Sequence, residues 1–158
     1  MSDARFEDGA EAPLRLIAQD ADGLGVMSAL LQDAVFPITE MRFVKVRRRF
    51  ALMLNRFRWE DRTAADQAKR GYERVQSVLV FEDVLAVRST GIVHVERDTV
   101  LSLLQLSFQP GADGTGVVTM VLAGDGAIAL DIETLDAQLV DVTRPYLAPS
   151  GMAPQHEA

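Results

Sequence analysis

The sequence predicts a single α+β domain, built on one antiparallel sheet or partly closed barrel of about seven or eight strands with a helix near each end. Three observations lead there. Several segments alternate apolar and polar residues with period 2, which places one face of a strand on a core. Turn clusters punctuate them, above all PGADGTG at 110–116 and Gly124-Asp125-Gly126. Near each end the apolar period lengthens to about 3.6, the signature of a helix laid on the sheet.

In chain order, residues 1–12 are polar and acidic with little to bury, so they read as a disordered leader before a domain spanning 13–146. Leu14 to Gln19 is a short strand. Asp20 or Asp22 can cap a helix running to about Val35, because a carboxylate oxygen accepts from the free N–H groups of a first turn. Leu24, Met27, Leu31 and Val35 supply its buried stripe, and Pro37 ends it.

The most distinctive stretch follows, Met41 to Glu60, reading as two strands joined by a basic turn. In the second strand Phe50, Leu52, Leu54, Arg56 and Arg58 share one face, and Ala51, Met53, Asn55, Phe57 and Trp59 the other. The first face turns charged after Leu54, so the strand is expected to leave the core there. Residues 61–74 are polar and read as a loop or ragged helical turn. Strands follow at 75–81, 84–88, 100–108, 117–122 and 127–132. Ile132, Leu135, Leu139 and Val142 then form a helical stripe, stopped before Pro145, and 147–158 reads as a disordered tail.

Bulk properties bound the function. A chain of 158 residues with 48% hydrophobic content suits one globular domain. No apolar run reaches the ~18 residues of a membrane-spanning helix, and the acidic start lacks the apolar core of a secretory signal. With no cysteine, disulfides, thiolate catalysis and cysteine-based metal sites are excluded. A cytoplasmic protein is the expectation.

Charge is uneven. Residues 1–41 carry net −6, residues 42–74 net +7 and residues 75–158 net −8, which together make the overall −7. A basic segment between acidic ones either receives an anionic partner or is neutralised within the fold.

Most motif matches dissolve on inspection. Gly124 to Ala129 fits G-x-G-x-x-A, yet Ile128, Leu130 and Ile132 continue as a strand, where a dinucleotide fingerprint needs a helix. Asp20-Ala21-Asp22 starts like a calcium loop but lacks its glycine and later ligands. His94 and His156 have no ligand spacing around them, so no metal, no cofactor and no catalytic residue is assigned. The pairs Glu60-Asp61 and Glu82-Asp83 are consecutive and read as turn residues.

One group remains, the basic cluster with its aromatic neighbours. Arg47, Arg49, Arg56, Arg58 and Trp59 form the candidate ligand-binding set, because guanidinium forks match anionic oxygens and an indole can stack on a ligand. The same arginines can equally pair with the chain's own carboxylates while their stems cover apolar surface.

The stretches LRLIAQDADGLGVMSALLQDAV, RRRFALMLNRFRWE, LAVRSTGI, LSLLQLSF and GAIALDIETLDAQLVDVTRPY together resemble the alphaproteobacterial domain-of-unknown-function 2948 family over about Leu14 to Tyr146. Gln32-Asp33-Ala34 and Asn55-Arg56-Phe57-x-Trp59-Glu60 are the most specific pieces. The resemblance brings no assigned activity, cofactor or catalytic residue. It implies an accessory cytoplasmic role, since family members are encoded among cell-wall and amino-acid biosynthesis genes. Strands closed by a C-terminal helix also match the outline of pleckstrin-homology-like domains, a likeness of fold that licenses no ligand.

The expectation is therefore a non-catalytic interaction or accessory module that meets a protein partner or a second copy of itself. The alternative is a binder of a small anionic or phosphorylated ligand through the arginine-rich hairpin. Nucleic acid is disfavoured by the net charge of −7.

Overall fold

The computed structural model describes residues 13–69, 71–92 and 99–148. Its strands are β1 (Arg15–Ala18), β2 (Ala34–Pro37), β3 (Met41–Val44), β4 (Arg49–Phe57), β5 (Glu73–Phe81) and β6 (Val84–Thr90). They continue as β7 (Val100–Pro110), β8 (Gly116–Leu122), β9 (Ala127–Ile132), β10 (Ala137–Asp141) and β11 (Tyr146–Leu147). Two α-helices interrupt them, α1 (Ala21–Leu30) and α2 (Arg62–Ala68).

The eleven strands among the described residues all join one open antiparallel sheet in the order β1-β10-β5-β4-β2-β7-β8-β9-β6, with β11 added to β5 and β3 to β4. The sheet bends strongly on itself. Laid flat, β5 and β6 would lie six strand spacings apart, about 29 Å. Yet only Glu82 and Asp83 join them, and so short a link reaches about 11 Å. The inner face of this bend holds the core, including Phe36, Leu52, Leu79, Phe81, Met120 and Leu130, each no more than 1% exposed. Helix α1 fills the concavity with Leu24, Met27 and the following Leu31.

Local chemistry explains α1. Asp20 Oδ1 accepts from the Gly23 amide at 2.7 Å, so of the two expected caps the first is used. A Cβ at Gly23 would come within 3.3 Å of the Ala18 backbone, so glycine eases the close approach of α1 to β1. The helix stops at Leu30 rather than near Val35. Asp33 adopts a left-handed φ of 66°, its amide donates to Leu103 O at 2.7 Å, and Ala34 opens β2. Val35, expected on the helical stripe, therefore lies on a strand.

The largest correction is at the C-terminal end. The helix expected over Ile132 to Val142 is not formed; β10 stands there between β1 and β5. Leu135 and Leu139 satisfy both periods, so they do not discriminate. Ala137 and Asp141 do, at 0% and 9% exposed, whereas Val142 is 48% exposed. Two flanking strands with open backbone groups favour the extended form, and an acid counted as outward by helical spacing is turned inward. Without that helix the pleckstrin-homology-like outline is lost. The strand count rises to eleven because β2, β10 and β11 were read as helix or tail.

Other expectations hold in detail. Gly124, Asp125 and Gly126 make the β8–β9 turn, with Asp125 at φ 66° and Leu122 N donating to Gly126 O at 2.8 Å. The polar 61–74 segment contains the short helix α2, with only Ala65 buried in it. The leader at 1–12 and both histidines lie outside the described residues, as does most of the tail.

If β10 is a core strand, Leu139→Ala loses about 2–5 kcal/mol of stability, read by urea denaturation. Val142→Ala, on the exposed side, changes it by less than about 0.5 kcal/mol.

Candidate functional site

Strand β4 presents different chemistry on its two faces. Inward, Phe50, Leu52 and Leu54 are buried and the alternation continues to Arg56, which is 0% exposed. The strand does not leave the core after Leu54. Apolar burial gives way instead to a buried ion cluster. Arg56 Nη1 and Nη2 donate to the two Glu60 carboxylate oxygens, each at 2.8 Å, a bidentate pairing. Arg56 Nη2 also donates to Asp141 Oδ2 at 3.0 Å, and Nε to Asp141 Oδ1 at 3.1 Å and Ser77 Oγ at 3.2 Å. Asp141 further accepts from Ser77 Oγ at 2.6 Å and from the Leu14 amide at 3.0 Å.

Burial alone would strip charge from Arg56, but hydrogen bonding and attraction from Glu60 and Asp141 prevail and raise its pKa above the ordinary value. Burial likewise pushes Glu60 upward, and the hydrogen bonds and charge of Arg56 outweigh it, holding this carboxyl below its usual range.

The candidate residues are thus dispersed. Arg47 is exposed on the 3-10 turn Lys45–Arg47 at the hairpin tip. Arg49 donates to Glu82 at 2.6 Å. Arg58, 9% exposed, donates to Glu73 Oε1 at 2.6 Å with Asp61 at 3.9 Å, so Arg56 and Arg58 turn to separate sets of carboxylates. Together with the Arg48–Glu133 pair, these contacts neutralise much of the basic segment with acids from its own and later segments. Trp59 is half-buried, packed edge-on to Phe57 at 4.6 Å, under Arg62, with its indole N–H donating to Gln32 O at 2.9 Å.

Outward, β4 borders an open groove of about 320 Å³ formed with β2, β5 and the start of β7. Val35, Pro37, Met53 and Val100 supply apolar walls, and Glu40, Asn55 and Gln76 polar edges. Met53 and Val100 are 39% and 61% exposed, in a sheet whose inner residues are closed off. At one end Asn55 is gripped from both sides: Arg74 Nε donates to Asn55 Oδ1, and Asn55 Nδ2 donates to the Tyr146 hydroxyl. Arg74 Nη2 also reaches the carbonyls of Asn55 at 3.3 Å and Asp33 at 3.5 Å. Burial lowers the Arg74 pKa, against the opposing pull of Tyr146 and Asp33.

Arg74, Gln76, Met53 and Val100 were not singled out from sequence. Arg74 and Gln76 alternate on one strand face, which was legible; that this face lies beside Asn55 depended on the β4–β5 register pairing Asn55 with Gln76.

The two most specific sequence pieces meet here. Gln32 accepts from Trp59, Asp33 from Arg74, and Val35 pairs with Asn55. The family described as a protein of unknown function, DUF2948, matches residues 14–156. The chain belongs to the DUF2948 family. No curated protein and no solved structure matches it. The DUF2948 match spans β1 to β11, so the ion cluster and the groove both lie within it. Among the described residues of this DUF2948 chain, no group of three or more His, Asp or Glu is arranged to hold a metal ion. Nor is any helix among them long and apolar enough to cross a membrane.

Asp141→Ala leaves a buried guanidinium half-compensated and costs about 3–5 kcal/mol in urea denaturation. The pH dependence has a definite sign. The folded Glu60 pKa lies below its unfolded value, so its contribution is complete above about pH 4.3 and is lost as pH falls through the folded value. Stability measured from pH 7 down to pH 3 should fall less steeply in Glu60→Gln than in the natural chain.

Proposed function

We propose that this protein is a non-catalytic binding module whose recognition surface is the outer-face groove of β2, β4, β5 and β7. The observation that carries this reading is the junction at the groove's end. Two stretches far apart in sequence, around Asp33 and around Asn55, are tied there by Trp59 and Arg74 beside exposed apolar side chains. The exposed parts of valine and methionine on a sheet face add no burial in the isolated fold, and grouped apolar surface of this kind is what binding surfaces offer. The role is that of an accessory protein acting through what it binds, in keeping with the cytoplasmic setting that the sequence leads us to expect.

Capture of a small anion by the arginine-rich hairpin is the second reading. It is supported by the exposed cations Arg42, Lys45 and Arg47 around Val46, itself 91% exposed. The two differ in salt response. Contact at exposed arginines weakens steeply with ionic strength, and burial in an apolar groove does not.

A screen of uncharged fragments followed by NMR should place binders on Val35, Met53 and Val100, with affinities changing less than about threefold between 50 and 500 mM salt. Met53→Asp should remove them while the chain stays folded, at a cost of about 1–2 kcal/mol in urea denaturation. Salt-sensitive binders mapping to Lys45 and Arg47 would instead establish the hairpin reading.

A further inference from the structure

The groove has a polarity that narrows what it can hold. Arg74 is half-buried, yet its acceptors among the described residues are neutral oxygens, the Asn55 side chain and two backbone carbonyls. In this it differs from Arg48, Arg49, Arg56, Arg58 and Arg88, each of which reaches a carboxylate. A cation partly withdrawn from water and not matched by an ion pair favours an incoming anion.

Asn55 continues this donor surface into the groove. Its oxygen is taken by Arg74 and one Nδ2 hydrogen by Tyr146, so its amide is fixed in one orientation with a second N–H left to donate. Gln76, paired opposite Asn55, adds another carboxamide at the same end. Glu40 stands at the other end. It precedes Met41, which pairs with Leu52, whereas Arg74 pairs with Phe57. That register separates the acid from the guanidinium by roughly 15 Å along β4. Val35, Pro37, Met53 and Val100 lie between.

Charge decides the class of anion. One guanidinium, hydrogen-bonded to neutral oxygens, suits a single negative charge. A second negative charge would meet Glu40 across the groove. We propose that the groove binds a small amphiphilic carboxylate, its head held by the Arg74 guanidinium and the Asn55 amide and its apolar tail lying over Val35, Met53 and Val100. Glu40 sets the direction by repelling the head from the far end. This rests on the reading of the groove as the recognition surface and gives it a ligand class.

The test is an NMR titration of the full chain with octanoate, octylammonium and octyl phosphate at equal concentrations. Octanoate should shift the side-chain amides of Asn55 and Gln76 and the methyls of Val35 and Val100. It should bind about tenfold or more tighter than octylammonium. Arg74→Gln should weaken octanoate about tenfold or more and leave octylammonium unchanged. Because Arg74 also steadies Asn55, Val100→Asp serves as a second variant: on an exposed position it should exclude the octanoate tail without unfolding the chain. Equal binding of octanoate and octylammonium at the groove overturns the carboxylate while the groove survives as a binding surface. Tightest binding by octyl phosphate overturns the preference for a single charge. Shifts confined to residues outside the groove, or none, overturn both.

Discussion

The structure depends on one buried charge cluster. Arg56 lies at 0% exposure inside an apolar sheet, a position tolerable only because Glu60 and Asp141 surround its guanidinium. Through that cluster β4 is joined to β10, to β5 by Ser77, and to the start of the described chain by the Leu14 amide. Hydrophobic burial would accept several registers of these strands with similar area removed from water. A guanidinium that must meet two carboxylates accepts one. The cluster therefore selects which strands adjoin more than it adds to stability, since an apolar replacement of the whole group would fill the space as well.

The same strand that seals the core makes the candidate site. Period-2 alternation sends Arg56 inward and Asn55 outward from adjacent positions, so the register held by the cluster also sets where Asn55 stands against Gln76 and Val35. The outer groove is thus positioned by a rigid element, with Trp59 and Arg74 tying the turn at Asp33 to it. A binding surface built this way needs little reordering on contact, which preserves affinity for even a small ligand.

The charge asymmetry also finds its explanation in the fold. The net +7 of residues 42–74 is not a free basic surface, because Glu82, Glu133 and Asp141 from the later acidic segment are brought onto it. Among the described residues Arg42, Lys45 and Arg47 stay exposed around the hairpin tip, and Arg62 and Lys69 on and just after α2. On the other face Arg74 keeps neutral partners, and this makes it distinctive although it looks like any other arginine of the segment in the sequence.

The sequence by itself determined the antiparallel sheet, its main strands, a helix starting at an Asp20 or Asp22 cap and the tight turn at Gly124 to Gly126. These features are carried by neighbouring residues: alternation, caps and turn residues act over a few positions of the chain. It also marked Met41 to Glu60 as the distinctive stretch. It did not show that Arg56 points into the core, because its partner Asp141 lies 85 residues away and local spacing assigned that acid to the outside of a helix. Whether 137–141 becomes helix or strand was decided by β1 and β5 offering backbone partners on both sides. The groove, and Arg74 within its reach, exist only once β2, β4, β5 and β7 lie side by side. Their lining residues come from separate segments, and no local pattern encodes how distant strands pair.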